Sequence, residues 1–167
     1  MTQKTPETIF EKDTEIPNNP KLPVLLYRQL IAQDDKAEIF KARFYDNGWR
    51  GIWKGGIFAY HHFHPDAHEA LGVAEGKATV MLGGKSGKIF ELHAGDLVIL
   101  PAGTGHKNIA ASDDFSVIGA YPAGQENYTI CRSLQERPNA REEIDALELP
   151  ETDPYYGTGG PLIKSWS

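Results

Sequence analysis

Short apolar runs separated by glycine-rich turns fill the middle of this chain, and they constrain its fold more than any other feature. Between residues 49 and 121 such runs cover 57–63, 70–73, 78–82, 88–92, 96–100, 107–110 and 115–121. Runs of this length, broken by turns such as Glu75-Gly76 and Gly83-Gly84, are typical of β-strands. Repeated short strands without long helices between them predict an all-β sandwich or a small barrel.

The segments that flank this region predict an arm, two short helices and a tail. Residues 1–20 are polar and interrupted by prolines, which indicates an extended arm with a mobile start, and residues 22–27 follow as a short strand. Two possible capping boxes open helices, over 36–46 and 140–148: Asp35 with Glu38, and Asn139 with Glu142. The tail, 150–167, carries two tyrosines and a tryptophan, and we expect an ordered loop on the domain or on a second subunit.

The length of 167 residues fits one domain with a single hydrophobic core. Within it we expect an N-terminal arm and helix packed on the barrel (1–48), the barrel itself (49–130), and a C-terminal helix with the ordered tail (131–167). The arm and the tail together also predict a homodimer.

Charge and composition exclude several classes of partner and suggest a location. A formal net charge of −6 without a lysine or arginine cluster argues against nucleic acid or an anionic membrane as partner. The start of the chain does not resemble a secretory signal, and no segment approaches the roughly 18 apolar residues of a membrane span. The single cysteine, Cys131, suits a reducing compartment, so we expect a cytoplasmic protein.

Four of the six histidines lie between residues 56 and 76, and two of them have the spacing of metal ligands. On a β-strand His62 and His64 project to the same side, whereas His61 points to the other. Glu69 follows after four residues and can add an oxygen ligand. Three imidazole nitrogens and one oxygen, with His106 as the third histidine, suit Fe, Mn, Ni, Zn, Co or Cu better than Ca.

The third histidine follows a tight turn. Pro101 and Gly103 come directly after an apolar run, so that His106 enters the next strand with a fixed direction. We therefore expect His106 to be the ligand that is remote in sequence. Histidines on a half-buried strand are often only hydrogen-bonded, and the joint spacing of the four residues is what favours a metal.

These two stretches resemble the paired motifs of the cupin superfamily, which are small double-stranded β-helix barrels with a jelly-roll path. The first motif is filled at every position by Gly56, His62, His64, Glu69 and Gly76, and the second by Gly95, Pro101, Gly103 and His106. The last position of the second motif is Ala110 instead of asparagine, and Asn108 can fill part of its place. The resemblance covers roughly residues 49–122, and more loosely the chain is similar to a group of small bacterial single-domain cupins without an assigned reaction.

Several other residues are expected around the metal ligands without a fixed role. His68 is either a metal ligand or a residue that contacts a ligand without touching the metal. Tyr60, Met81 and Tyr121 are expected to line the barrel mouth, although such side chains are more often plain core. The sequence assigns no catalytic residue.

The resemblance leaves two functions open. One is a metal-dependent enzyme of the dioxygenase, isomerase or decarboxylase type that acts on a small polar or oxygen-rich metabolite. The other is a non-catalytic barrel that binds a sugar or a small acid and holds its metal for stability. The fold does not choose between them.

Overall fold

The computed structural model describes residues 2–13 and 15–167, which form nine strands and three helices. The strands are β1 (Glu7–Ile9), β2 (Val24–Tyr27), β3 (Trp49–Gly55), β4 (Glu69–Glu75), β5 (Lys77–Leu82), β6 (Lys88–His93), β7 (Leu97–Leu100), β8 (His106–Ala111) and β9 (Ser116–Pro122). The helices are α1 (Lys36–Asp46), α2 (Ala140–Ala146) and α3 (Pro161–Ser165). None of these helices has the length and hydrophobicity that crossing a bilayer requires.

The strands form two antiparallel sheets. The larger has the order β1-β2-β7-β4-β9-β3, and the smaller has the order β6-β5-β8. Neighbours in the larger sheet are therefore mostly distant in sequence, as a rolled-up jelly-roll path requires. The prediction of an all-β double-stranded β-helix with short flanking helices is confirmed.

The space between the two sheets is the inner core. Strand alternation sends every second side chain there, for example Leu71 and Val73 from β4 and Val80 and Leu82 from β5. By the same alternation Glu69, two residues before Leu71, begins β4 on the inner face. An acidic side chain is thus directed into the barrel by the pleat of an otherwise apolar strand.

A second core covers the outer face of the larger sheet. There α1 packs Phe40 and Phe44 against the sheet, and the tail adds Trp166. Gly72 makes the close approach possible, because a Cβ at this position would lie 2.6 Å from Phe40 Cγ. The predicted bounds of α1 are confirmed, and the tail lies on its own domain.

The strand predicted over 57–63 is wrong. The strand is β3, which ends at Gly55, and residues 56–68 form a connection with only two isolated bridges, His62 to His106 and Phe63 to Cys131. β3 was not predicted because the glycines at 51, 55 and 56 interrupt its apolar pattern. The strand also contains a bulge between Arg50 and Trp53. The connection cannot pair along its length, because it leaves the edge of the larger sheet and crosses toward the smaller one.

Smaller corrections concern the termini of elements. Neither capping box forms, since neither Asp35 nor Asn139 makes a side-chain cap hydrogen bond. Two parts of the arm contact the barrel: β1 pairs with β2 through three residues, and Asn18 is buried with its amide on the Gly83 carbonyl. The tail, which was predicted to be a loop, contains the helix α3. A helix of five residues is too short to show a hydrophobic period in the sequence.

Candidate metal centre

The four residues proposed as ligands come from three separate parts of the fold. His62 and His64 lie on the connection after β3, Glu69 is the first residue of β4, and His106 is the first residue of β8. Paired backbone hydrogen bonds between His62 and His106 (2.9 and 3.2 Å) fix the connection to β8. The Gly103 N–H donates to the His64 carbonyl at 2.8 Å, so the turn before β8 holds the second histidine as well.

All four side chains are buried and converge on one point. One ring nitrogen from each of the three histidines lies within 4.8 Å of the others. Glu69 Oε1 is 3.5 Å from His64 Nε2 and 3.3 Å from His106 Nε2. The fold therefore brings three imidazoles and one carboxylate oxygen within reach of a single ion.

The orientation of the three imidazoles is set by backbone carbonyls. Each Nδ1 donates to a carbonyl oxygen: His62 to Tyr60 at 2.9 Å, His64 to Thr129 at 2.9 Å and His106 to Thr104 at 3.0 Å. Since a carbonyl only accepts, each Nδ1 carries the proton when the ring is neutral, and Nε2 presents its lone pair. This arrangement is the one that metal-binding histidines need.

The charges in the centre follow from burial and from the single carboxylate. Burial, with a smaller contribution from His106, lowers the pKa of His62 to about 3. Burial alone would raise the pKa of Glu69, but His64 and His106 outweigh it and lower this pKa below its ordinary value. Glu69 is therefore ionised at neutral pH. Burial also lowers the pKa of His64, yet the charge of Glu69 outweighs that effect and raises it.

Two aromatic side chains hold the other oxygen of Glu69. The Tyr121 hydroxyl donates to Glu69 Oε2 at 2.7 Å, and Trp53 Nε1–H donates to the Tyr121 hydroxyl at 2.9 Å. Burial and the nearby carboxylate raise the pKa of Tyr121, so its phenol stays protonated at neutral pH. Glu69 is thus turned so that Oε1 faces the histidines.

A cavity of about 260 Å³ opens onto the four residues. Apart from them, its lining consists of aromatic, aliphatic and glycine residues, here called the cavity wall: Trp53, Gly56, Ile57, Phe58, Leu71, Tyr121, Tyr128 and Ile130. A larger groove of about 620 Å³ lies between the arm and α2. No histidine is among the described residues that line that groove, so the smaller cavity is the candidate site.

The remaining predicted neighbours lie in different places. Tyr60 packs against the ring of His62, at a centroid distance of 5.6 Å, and Asn108 shares the inner face of β8 with His106. His68 is outside the group of three histidines: its Nδ1 accepts from the Ala102 N–H at 2.9 Å. Met81 faces away from the inner core, because its neighbours Val80 and Leu82 point inward. Met81 therefore does not line the cavity.

Sequence reasoning missed two aromatic residues of the wall. Trp53 was missed because β3 was not predicted: the glycines at 51 and 55, on the same face of the strand as Trp53, hid its alternating pattern. Tyr128 lies outside any strand or helix, after β9, and its ring stacks on Tyr121 at a centroid distance of 4.3 Å. No local pattern in the sequence indicated that Tyr128 would return to the barrel.

A double-stranded β-helix with this set of histidines defines a cupin, and comparisons with known proteins agree. The family described as Cupin domain matches residues 49–118. The uncharacterized protein YjlB of Bacillus subtilis (strain 168) is 36% identical over 166 residues, which cover 99% of both chains. The chain belongs to the cupin superfamily.

Solved structures with a related fold are more distant. Acireductone dioxygenase from Bacillus anthracis, with a cadmium ion in its active centre, has a TM-score of 0.44 and 20% identity, covering 75% of this chain and 96% of that one. An uncharacterized conserved protein with a double-stranded β-helix domain from Klebsiella pneumoniae has a TM-score of 0.39 and 14% identity, with coverages of 80% and 84%.

Proposed function

We propose that the protein binds one divalent transition metal through His62, His64, Glu69 and His106, and that this metal serves a reaction of a small molecule. The observation that carries the proposal is the set of three Nδ1-to-carbonyl hydrogen bonds, which direct three buried Nε2 lone pairs to one place. Together with an ionised carboxylate, this donor set fits Fe, Mn, Ni, Zn, Co or Cu.

A metal held there would act as a Lewis acid or a redox centre toward an oxygen atom of the substrate. The residues of the chain have separate tasks. Tyr121 and Trp53 keep Glu69 oriented, the backbone carbonyls keep the imidazoles oriented, and the cavity wall gives the metal largely apolar surroundings. The protonated Tyr121 can donate a hydrogen bond but is unsuited to accept a proton.

A dioxygenase, isomerase or decarboxylase is the kind of enzyme that we propose, acting on a small metabolite with an oxygen donor. One observation favours the alternative of a binding protein without turnover. Among the described residues that line the cavity, no acid or base stands apart from the four ligands and the two tyrosines. The two functions differ in whether a ligand is converted.

Metal content tests the site directly. We expect protein purified without added metal or chelator to contain about one transition metal per chain by elemental analysis. Glu69→Gln and His106→Ala should contain much less, because each removes a ligand from a buried set of four. His93→Ala is the matched control, since His93 lies exposed on β6. Equal metal content in all four proteins would refute the site.

Turnover is tested by incubating the metal-loaded protein with a panel of small metabolites under air. Oxygen uptake or a product of changed mass supports the enzyme, whereas thermal stabilisation without a product supports the binding protein. The identity of the metal guides this experiment, because iron favours oxygen chemistry and zinc does not.

We also propose a homodimer and a cytoplasmic location. The composition and the single cysteine, which is buried, support the location. The tail and the β1 segment of the arm both contact their own domain, so the support for a dimer is the expectation from the sequence alone. Light scattering after size exclusion tests this: twice the chain mass supports the dimer, and a single chain mass refutes it.

A further inference from the structure

We infer that the cavity selects a compact ligand with one anionic oxygen on a flat apolar body, such as an aromatic monocarboxylate or a phenolate. The inference deepens the proposed function and rests on it. It narrows the expectation of a polar, oxygen-rich metabolite to a molecule whose polarity is concentrated in one group.

The first step is the chemistry of the cavity wall. It contains no lysine, arginine, serine, threonine, asparagine or glutamine among the described residues. Its indole N–H and one of its hydroxyls are already engaged, since Trp53 donates to Tyr121 and Tyr121 donates to Glu69. A ligand with several hydroxyl groups, such as a sugar, would bury them without partners, which is costly.

The second step is shape. The rings of Tyr121 and Tyr128 are stacked, with planes inclined by 29°, and the rings of Tyr128 and His64 make a T-shaped contact at a centroid distance of 4.8 Å. Aromatic walls favour a flat partner that offers its face or its edge. The volume of about 260 Å³ is below the range of about 300–1,000 Å³ that holds drug-sized ligands, which indicates a compact body.

The third step is charge. Among the described residues that line the cavity, Glu69 is the one carboxylate, so a divalent ion with this carboxylate leaves a net charge of about +1 in apolar surroundings. One anionic oxygen neutralises that charge, whereas a dianion reverses it. No lysine or arginine is among the described residues that line the cavity, so no cation of this lining offsets a second negative charge. The guanidinium of Arg132 lies outside the lining, 3.8 Å from the centroid of the Tyr60 ring.

The test compares four probes on the metal-loaded protein: benzoate, the neutral isostere benzamide, the dianion malonate, and glucose. Binding is measured by calorimetry and by tryptophan fluorescence, because Trp53 borders the cavity. We expect benzoate to bind at least tenfold more tightly than each of the other three. Tighter binding of malonate or glucose, or equal binding of benzamide, overturns the inference.

A variant of the wall gives an independent test. Ile130 is 41% exposed, so Ile130→Lys should fold and place a cation at the cavity. We expect the preference for benzoate over malonate to fall by about tenfold, since the added cation offsets the second negative charge. Ile89→Lys, at a 60% exposed position on β6 outside the cavity, is the matched control and should leave the preference unchanged.

These outcomes separate the inference from the function on which it rests. A protein that holds its metal but prefers malonate, or whose preference is the same in Ile130→Lys, overturns the inference alone. A protein that takes up no metal, by the elemental analysis described above, overturns both.

Discussion

Gly119 on β9 makes room for the indole of Trp53. A methyl group at this position therefore tests the hydrogen bonds that run from Trp53 through Tyr121 to Glu69. A Cβ at 119 would lie 2.2 Å from Trp53 Cε2 and 2.3 Å from Trp53 Nε1. The indole is rigid, so it would have to move by about 1.2 Å to reach an ordinary contact of 3.4 Å. A shift of that size away from Tyr121 would lengthen the 2.9 Å hydrogen bond beyond the usual range.

The expected cost follows from these two losses. Overpacking typically costs about 1–3 kcal/mol, and a lost hydrogen bond about 1 kcal/mol. We therefore expect Gly119→Ala to lower the free energy of unfolding by about 2–4 kcal/mol. In a chain of this size each kcal/mol lowers Tm by about 2–4 °C.

Urea and thermal denaturation, followed by circular dichroism and tryptophan emission, measure the effect. Gly159→Ala is the matched control, because a Cβ there meets no atom of the described residues within 4 Å and the backbone is not left-handed. The free energy of unfolding of this control should stay within about 0.5 kcal/mol of the wild-type value. A Gly119→Ala protein as stable as this control, with unchanged emission, would refute the packing of Trp53 against β9.

Three further predictions address the site and the arm. Tyr121→Phe removes the hydrogen bond to Glu69 and should weaken metal binding by about 10–100-fold in a chelator competition, whereas Tyr45→Phe, at an exposed position, should not. His68→Asn should keep the wild-type metal content by elemental analysis, because His68 Nδ1 accepts from the Ala102 N–H, which leaves the proton of the neutral ring on Nε2, and His68 lies outside the group of three histidines; a loss of metal would make His68 a ligand. Burial alone raises the pKa of Asp13, but backbone N–H donors outweigh it and lower the pKa below 3.8, so the stability it contributes is present above that pH and is lost as the pH falls. We expect the difference in free energy of unfolding between wild type and Asp13→Asn, measured by urea titration, to be smaller at pH 3 than at pH 7. An equal difference at the two pH values would argue against this role.

The fold was predictable from the sequence to the extent that it depends on local alternation. The apolar runs of β4, β5, β7 and β9 each place one set of side chains inside the barrel, and their spacing with glycine turns indicated an all-β domain. The prediction failed over 57–63. There the apolar run and the flanking glycine resemble those of the true strands, but the chain crosses between the two sheets. Such a run becomes a strand only where the fold places another strand next to it, and the local sequence pattern carries no information on that neighbour.

Sequence spacing also selected four candidate ligands, but their mutual geometry required the tertiary structure. The parity of His62 and His64 was expected from a strand, yet these residues lie on a connection whose direction comes from two backbone hydrogen bonds between His62 and His106. Strand alternation predicts that Met81 and Val80 face opposite sides, although only the folded barrel shows which side is the inside. The same holds for His68, whose ring turns to Ala102 and away from the three histidines.

By itself the sequence determined the superfamily, the alternation that places Glu69 on the same face as Leu71, and the residue types that can hold a metal. The tertiary structure decided how Glu69 is oriented and what the cavity is made of. Trp53, Tyr121 and Tyr128 come from β3, β9 and the segment after it, and each is unremarkable in its own stretch of sequence. Their contacts join residues far apart in the chain, and only the closure of the barrel brings such residues together.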